Sequence, residues 1–267
     1  MDPLADFERT SFTFEAKTRE VLRLGDGPAV IVMAEIPGIT PRVADFARRV
    51  VGIGCTAVLP VLFGTPGKDP GIGYALTSIG PSCVSKQFRA FATQSTAPVT
   101  KWLRALAKSE MDRCGGPGVG AVGMCFTGGF ALAMMLDDIM IAPVLSQPSL
   151  PIALPGRPTA KSDLHLSDED LARVKQRVHD EDICVLGLRF TGDKLAPGER
   201  FQRLRDELGS NFIGVEIDSS PGNPYGHRKM AHSVLTEDLI DEPGQPTRQA
   251  LEQVLAFLGE RLIGTDT

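Results

Sequence analysis

Val119-Gly120-Ala121-Val122-Gly123-Met124-Cys125-Phe126-Thr127-Gly128-Gly129-Phe130 decides how the rest of the chain is read. An apolar, strand-compatible run enters it, small residues crowd one thiol, and a helix-compatible run from Phe130 to Leu136 leaves it. Strand, sharp turn and helix, with a nucleophile-type residue at the tip, follow the grammar of G-x-S-x-G. Such a turn holds its central residue in a strained backbone conformation, so its neighbours must be small. Gly123 stands two before Cys125, Gly128 and Gly129 stand three and four after it, and Thr127 replaces the second Gly of the pentapeptide. A sulfur at a helix N-terminus lies near unpaired backbone N–H groups and the positive end of the helix dipole. Both favour the thiolate, which is the nucleophilic form. The N–H of Phe126 would face an oxyanion forming beside the sulfur. Two blander readings stand beside this one: a buried core thiol, and a phosphate-cradling loop. The second lacks the Lys that a Walker loop places after its glycines.

Working outward, Ala29 to Ala34 is a continuous apolar run, as expected of a strand buried on both faces. Thr40 is a candidate N-cap with Pro41 at the first helical position, and Val43, Phe46, Ala47, Val50 and Val51 share a helical face. Further strands are expected at 56–62, 139–144, 183–190 and 212–217, and further helices at 97–108, 168–178, 197–208 and 247–262. Six strands interleaved with helices predict an open, doubly wound, mostly parallel α/β sheet in a single domain. Segments 63–96 and 145–167 are rich in Gly and Pro or lack a period, and are read as shaping a pocket.

The totals narrow the function classes. The chain has 267 residues, 42% apolar and 23% charged, as a globular protein would. A net charge of −5 argues against nucleic-acid or anionic-membrane partners. The five cysteines are odd in number and widely spaced, which predicts a reducing, cytoplasmic setting rather than a disulfide framework. The start, MDPLADFERTSF, has no apolar signal core, and no apolar run reaches a membrane-spanning length.

A thiol nucleophile needs a base, and the base an orienter. An α/β-hydrolase fold places them in the chain order nucleophile, acid, His. Asp193, in Phe190-Thr191-Gly192-Asp193, follows a predicted strand at the acid's position, and His227 and His232 follow the last strand. Asp180, Asp182 and Asp218 are weaker candidates for the acid. His165 and His179 flank the short helix before the strand at Ile183 and are expected to be solvated on the amino-end side of the sheet. On position alone, His227 and His232 are equivalent.

At three places the chain resembles the dienelactone hydrolases, a branch of the α/β hydrolases with a Cys-His-Asp triad. These are Ile31-Val32-Met33-Ala34-Glu35-Ile36-Pro37-Gly38, Gly123-Met124-Cys125-Phe126-Thr127-Gly128-Gly129, and Ala231-His232-Ser233. The resemblance implies Cys125 as nucleophile, His232 as base and Asp193 as orienter. It also implies that Glu35 hydrogen-bonds the resting thiol and is displaced by substrate, and that Ile36 and Phe126 supply the oxyanion hole. The family's best-known members hold the substrate carboxylate with arginines, one of them four residues after the catalytic His. Here that position is Thr236. Arg89 and Arg228 are candidate replacements, and His227 is a candidate rim contact.

The expected activity is hydrolysis of a small ester or lactone through an acyl-thioester, with neither metal nor organic cofactor. A non-hydrolytic scaffold that binds an acyl or electrophilic ligand, or senses oxidants through Cys125, is the rival class. Zinc held by Cys125, His227 and His232 lacks compact ligand spacing.

Overall fold

The computed structural model describes residues 2–69, 98–150 and 158–264. Eight strands form one sheet: β1 Glu8–Phe14, β2 Lys17–Leu24, β3 Ala29–Met33, β4 Thr56–Pro60, β5 Val119–Met124, β6 Met140–Ser146, β7 Val185–Phe190 and β8 Phe212–Ile217. Their order is β1-β2-β4-β3-β5-β6-β7-β8. From β4 to β8 across the sheet every pairing is parallel. This is the α/β-hydrolase architecture expected from the sequence.

The strands β3, β4, β5 and β7 are buried along their whole length, which is why they read as continuous apolar runs. Side chains leave them alternately to two cores. Ile31, Met33 and Ala121 join one core, while Val30, Val32 and Val122 join the other. The first core is closed by helices α2 (Pro98–Cys114), α3 (Gly128–Met134), α4 (Asp168–Asp180) and α5 (Gly198–Leu208). The second is closed by α1 (Pro41–Gly52) and α6 (Pro246–Leu262). Thr40 caps α1, its hydroxyl accepting the N–H of Val43 at 3.3 Å.

The structure differs from the expectation at two elements. A hairpin of β1 and β2 adds two antiparallel strands at one edge, β2 pairing antiparallel with β4. Its sequence, with Glu8, Arg9, Lys17, Arg19 and Glu20, carries the charges of a solvent-facing edge strand, which hide the period of two. Helix α2 also runs on to Cys114. Glu110, at 0% exposure, is buried because Arg23 Nε (2.9 and 3.0 Å) and Arg113 Nε (2.8 Å) donate to its carboxylate. A charged residue thus continues the buried face.

No helix among the described residues is long and apolar enough to cross a membrane. Most of 63–96, including Arg89, lies outside the described residues, as does 151–157 within 145–167. The rest of the second segment contains the end of β6, a short 3-10 turn at Pro158–Lys161 and the cap of α4, Ser167.

Candidate active site

The elbow forms because β5 ends in a turn that only small residues allow. Cys125 has φ +56°, in the left-handed region where a non-glycine residue is strained. A Cβ on Gly123 would lie 2.2 Å from the carbonyl oxygen of Thr127, and one on Gly128 would lie 2.6 Å from Pro148 Cα. Thr127 has its own reason to be there. Its hydroxyl lies 2.8 Å from the carbonyl of Met33 and 2.9 Å from that of Met124, and it accepts the N–H of Met124 at 2.8 Å. The side chain therefore stitches the elbow to the neighbouring strand.

The register of β3 on β5 pairs Met33 with Gly123. Glu35 and Ile36 consequently leave the sheet beside Cys125 and Phe126, at the carboxyl ends of adjacent strands. Asp193 leaves β7 at the same end. Its Oδ1 accepts the N–H of Leu195 at 2.8 Å, and its Oδ2 stands 2.6 Å from His232 Nδ1. The long connection from β8 to α6 delivers His232. Asp193 is 6% exposed, so the contact is shielded from water.

With Nδ1 on the carboxylate, Nε2 is the atom left for the thiol. It makes no hydrogen bond of ordinary geometry among the described residues. Cys125 is nonetheless near enough to act on the ring. Burial pulls the His232 pKa down, but the Asp193 hydrogen bond, the contact with Cys125 and the charges of both outweigh it, and the imidazole is raised to about 11. Cys125 is 6% exposed, and its sulfur lies 3.1 Å from Ser149 Oγ.

Glu35 is placed differently from the implied resting contact with the thiol. Its carboxylate, 4% exposed, accepts the hydroxyls of Ser233 (2.6 Å) and Thr236 and the amide of Gln147 (3.3 Å). Two hydroxyls from the connection that carries His232 satisfy it, and among the described residues the sulfur's hydrogen bond goes to Ser149.

His227 packs edge-on against Phe190, with ring centroids 5.1 Å apart, and is 6% exposed. Burial lowers its pKa, against the pull of Asp238 and Asp218. It is His232, not His227, that meets Asp193. Arg228 donates from Nε (2.6 Å) and Nη2 (3.1 Å) to Asp238, so the structure pairs this candidate anchor with a carboxylate of its own chain. Asp238 also accepts the N–H groups of His232 (2.8 Å) and Ser233 (3.0 Å). Burial raises its pKa, but Arg228 and the two N–H groups prevail and hold it below the usual carboxylate range.

His179 is exposed as expected. His165 is not solvated: it is half-buried, its Cβ close to the site a Cβ would occupy on Gly129 of α3, and burial lowers its pKa. Leu164 and His165, shortly before α4, come back toward Gly129 of the elbow helix, which periodicity alone does not reveal. Among the described residues no group of three His, Cys, Asp or Glu is arranged to hold a metal ion.

Sequence reasoning missed Ser149, Gln147, Ser233 and Asp238. Ser233 follows His232 directly and Asp238 follows within six residues, a hint that this connection folds on itself. Gln147 and Ser149 had no signal beyond lying just past the β6 run.

Comparison with known proteins gives the family and agrees with the fold. Residues 17–261 match the Dienelactone hydrolase family. No curated protein matches the chain. Among solved structures, a protein described as a dienelactone hydrolase from Klebsiella pneumoniae superposes with TM-score 0.63 at 18% identity, covering 95% of this chain and 98% of that one. A dienelactone hydrolase-like promiscuous phosphotriesterase from metagenomic libraries gives 0.61 at 16%, covering 96% and 98%. A cold-adapted esterase from an Arctic intertidal metagenomic library gives 0.58 at 15%, covering 96% and 95%.

Proposed function

Because the chain belongs to the dienelactone hydrolase family, we propose that it hydrolyses a small carboxylic ester or lactone with Cys125 as nucleophile. The observation that carries this reading is the meeting of three groups distant in sequence. Asp193 holds His232 at 2.6 Å, and His232 takes its raised pKa partly from Cys125.

In acylation the Cys125 thiolate attacks the carbonyl carbon, and the N–H groups of Ile36 and Phe126 receive the oxyanion. The tetrahedral species expels the alcohol oxygen, which takes the proton from His232 Nε2, leaving an acyl-thioester. Neutral His232 then removes a proton from water, the hydroxide attacks the thioester, and collapse releases the acid and restores the thiolate. Asp193 keeps the ring oriented through both halves. Glu35 acts from its seat against the connection that bears His232.

A substrate carboxylate is not anchored by residues 228 and 236. Arg228 is paired with Asp238, and the Thr236 hydroxyl with Glu35. p-Nitrophenyl acetate is the direct test. Turnover beyond one equivalent that disappears in His232→Ala supports the proposal. A single burst without turnover would instead favour a reactive binding thiol.

A further inference from the structure

We propose that Ser149 is a further catalytic group at the sulfur: its hydroxyl donates to the Cys125 thiolate and steadies the attack-ready form. The proposal rests on Cys125 being the nucleophile. It adds a residue that the triad does not include.

The geometry is that of a built contact. Ser149 Oγ stands 3.1 Å from Cys125 Sγ, and Ser149 is 1% exposed, so water does not compete for either atom. A serine in an irregular segment commonly returns its proton to nearby backbone. Here the side chain's hydrogen bond, among the described residues, is the one to sulfur.

The backbone leading into Ser149 is pinned at three successive residues. Gln147, at φ +36°, donates its N–H to Leu188 O at 2.7 Å. Pro148 lies against Gly128, and its carbonyl accepts Arg200 Nη1 at 2.5 Å. Arg200, 2% exposed, also donates to the carbonyls of Asp163 and Ala160, both at 2.9 Å. Ser149 N–H donates to Cys125 O at 3.0 Å, closing a reciprocal pair between the elbow and this segment. The hydroxyl is thus preorganised toward the sulfur rather than free to swing.

Chemistry chooses the direction of the bond. A thiolate only accepts, and it is a stronger acceptor than a thiol. During acylation the sulfur lone pair forms the C–S bond and the carbonyl π electrons move to oxygen. The Ser149 proton stays on its own oxygen throughout. When the thioester is hydrolysed the pair returns to sulfur and the contact re-forms.

The test is the pH dependence of Cys125 carboxamidomethylation by iodoacetamide, read on the Cys125 peptide by mass spectrometry because the chain has five cysteines. Ser149→Ala should raise the midpoint by about one pH unit, a roughly tenfold loss of thiolate below it. Ser149→Thr keeps the hydroxyl and should keep the wild-type midpoint. An alanine midpoint that is unchanged or lower overturns the proposal, as does a threonine midpoint displaced as far as the alanine one. Alkylation needs no turnover. A shifted midpoint in a protein that fails to hydrolyse p-nitrophenyl acetate would therefore sink the hydrolase reading and Ser149's catalytic role with it, and leave only the hydroxyl's support of the thiolate standing. Hydrolysis with an unshifted midpoint would do the reverse.

Discussion

Removing Asp238 should damage the site from behind. Its side chain is 8% exposed and gathers the N–H groups of His232 (2.8 Å) and Ser233 (3.0 Å) together with the Arg228 guanidinium. Each charge-assisted bond is worth about 1.5–3 kcal/mol, and water recovers part of this at a site near the surface, so Ala should cost about 2–4 kcal/mol. The ion pair adds little, about 0–1 kcal/mol, because Arg228 is 68% exposed. At about 2–4 °C per kcal/mol for a chain of this size, Asp238→Ala should melt about 5–15 °C below wild type. Arg228→Ala should fall by no more than about 4 °C. A His232 that wanders by about 1 Å loses up to about 100-fold in rate. The alanine variant should therefore lose kcat with little change in KM, whereas Arg228→Ala keeps both. Calorimetry and ester kinetics on the two variants decide the matter. Equal damage from both, or an Asp238→Ala protein indistinguishable from wild type, would refute the bracing role. A raised KM in Arg228→Ala alone would return that residue to the substrate.

Gly123→Ala places a Cβ 2.2 Å from a backbone oxygen that cannot move aside. It should cost about 3 kcal/mol or more, read by urea unfolding or by loss of soluble protein. Glu35→Ala strips the acceptor from Ser233, Thr236 and Gln147 and should lower Tm more than Glu35→Gln. Because the sulfur pairs with Ser149, Glu35→Gln should leave Cys125 alkylation nearly unchanged, and a large change would mean that Glu35 reaches the thiol. The raised pKa of His232 sets a pH signature. Its stabilising contribution is complete below the ordinary histidine value of about 6.5 and is lost as pH rises through about 11. The Tm gap between wild type and His232→Ala should narrow in alkali, and a gap that widens would contradict the assignment.

The parts of this protein that were legible in its sequence are those governed by short-range rules. Buried parallel strands announce themselves as apolar runs, the cap of α1 as Thr-Pro, and the elbow as small residues around Cys125. The order Cys125, Asp193, His232 was readable because each residue follows a strand, and register then converts chain order into proximity. What stayed hidden depends on partners far away in sequence. Glu110 looks like a surface charge until Arg23 is placed beside it, 87 residues away. Arg228 looks like a free cation until Asp238 takes it. Ser149 carries no pattern at all. Only the packing of Pro148 on Gly128, and Arg200 behind it, aims its hydroxyl at the sulfur.

The most direct measurement is an acid quench of the protein during turnover of p-nitrophenyl acetate, followed by peptide mass spectrometry. One acetyl group on Cys125, which accumulates and is then released in wild type and is absent from an inactive Cys125→Ala protein, is the predicted result. Undiminished turnover by Cys125→Ala, or acetyl found on another residue while hydrolysis proceeds, would contradict it.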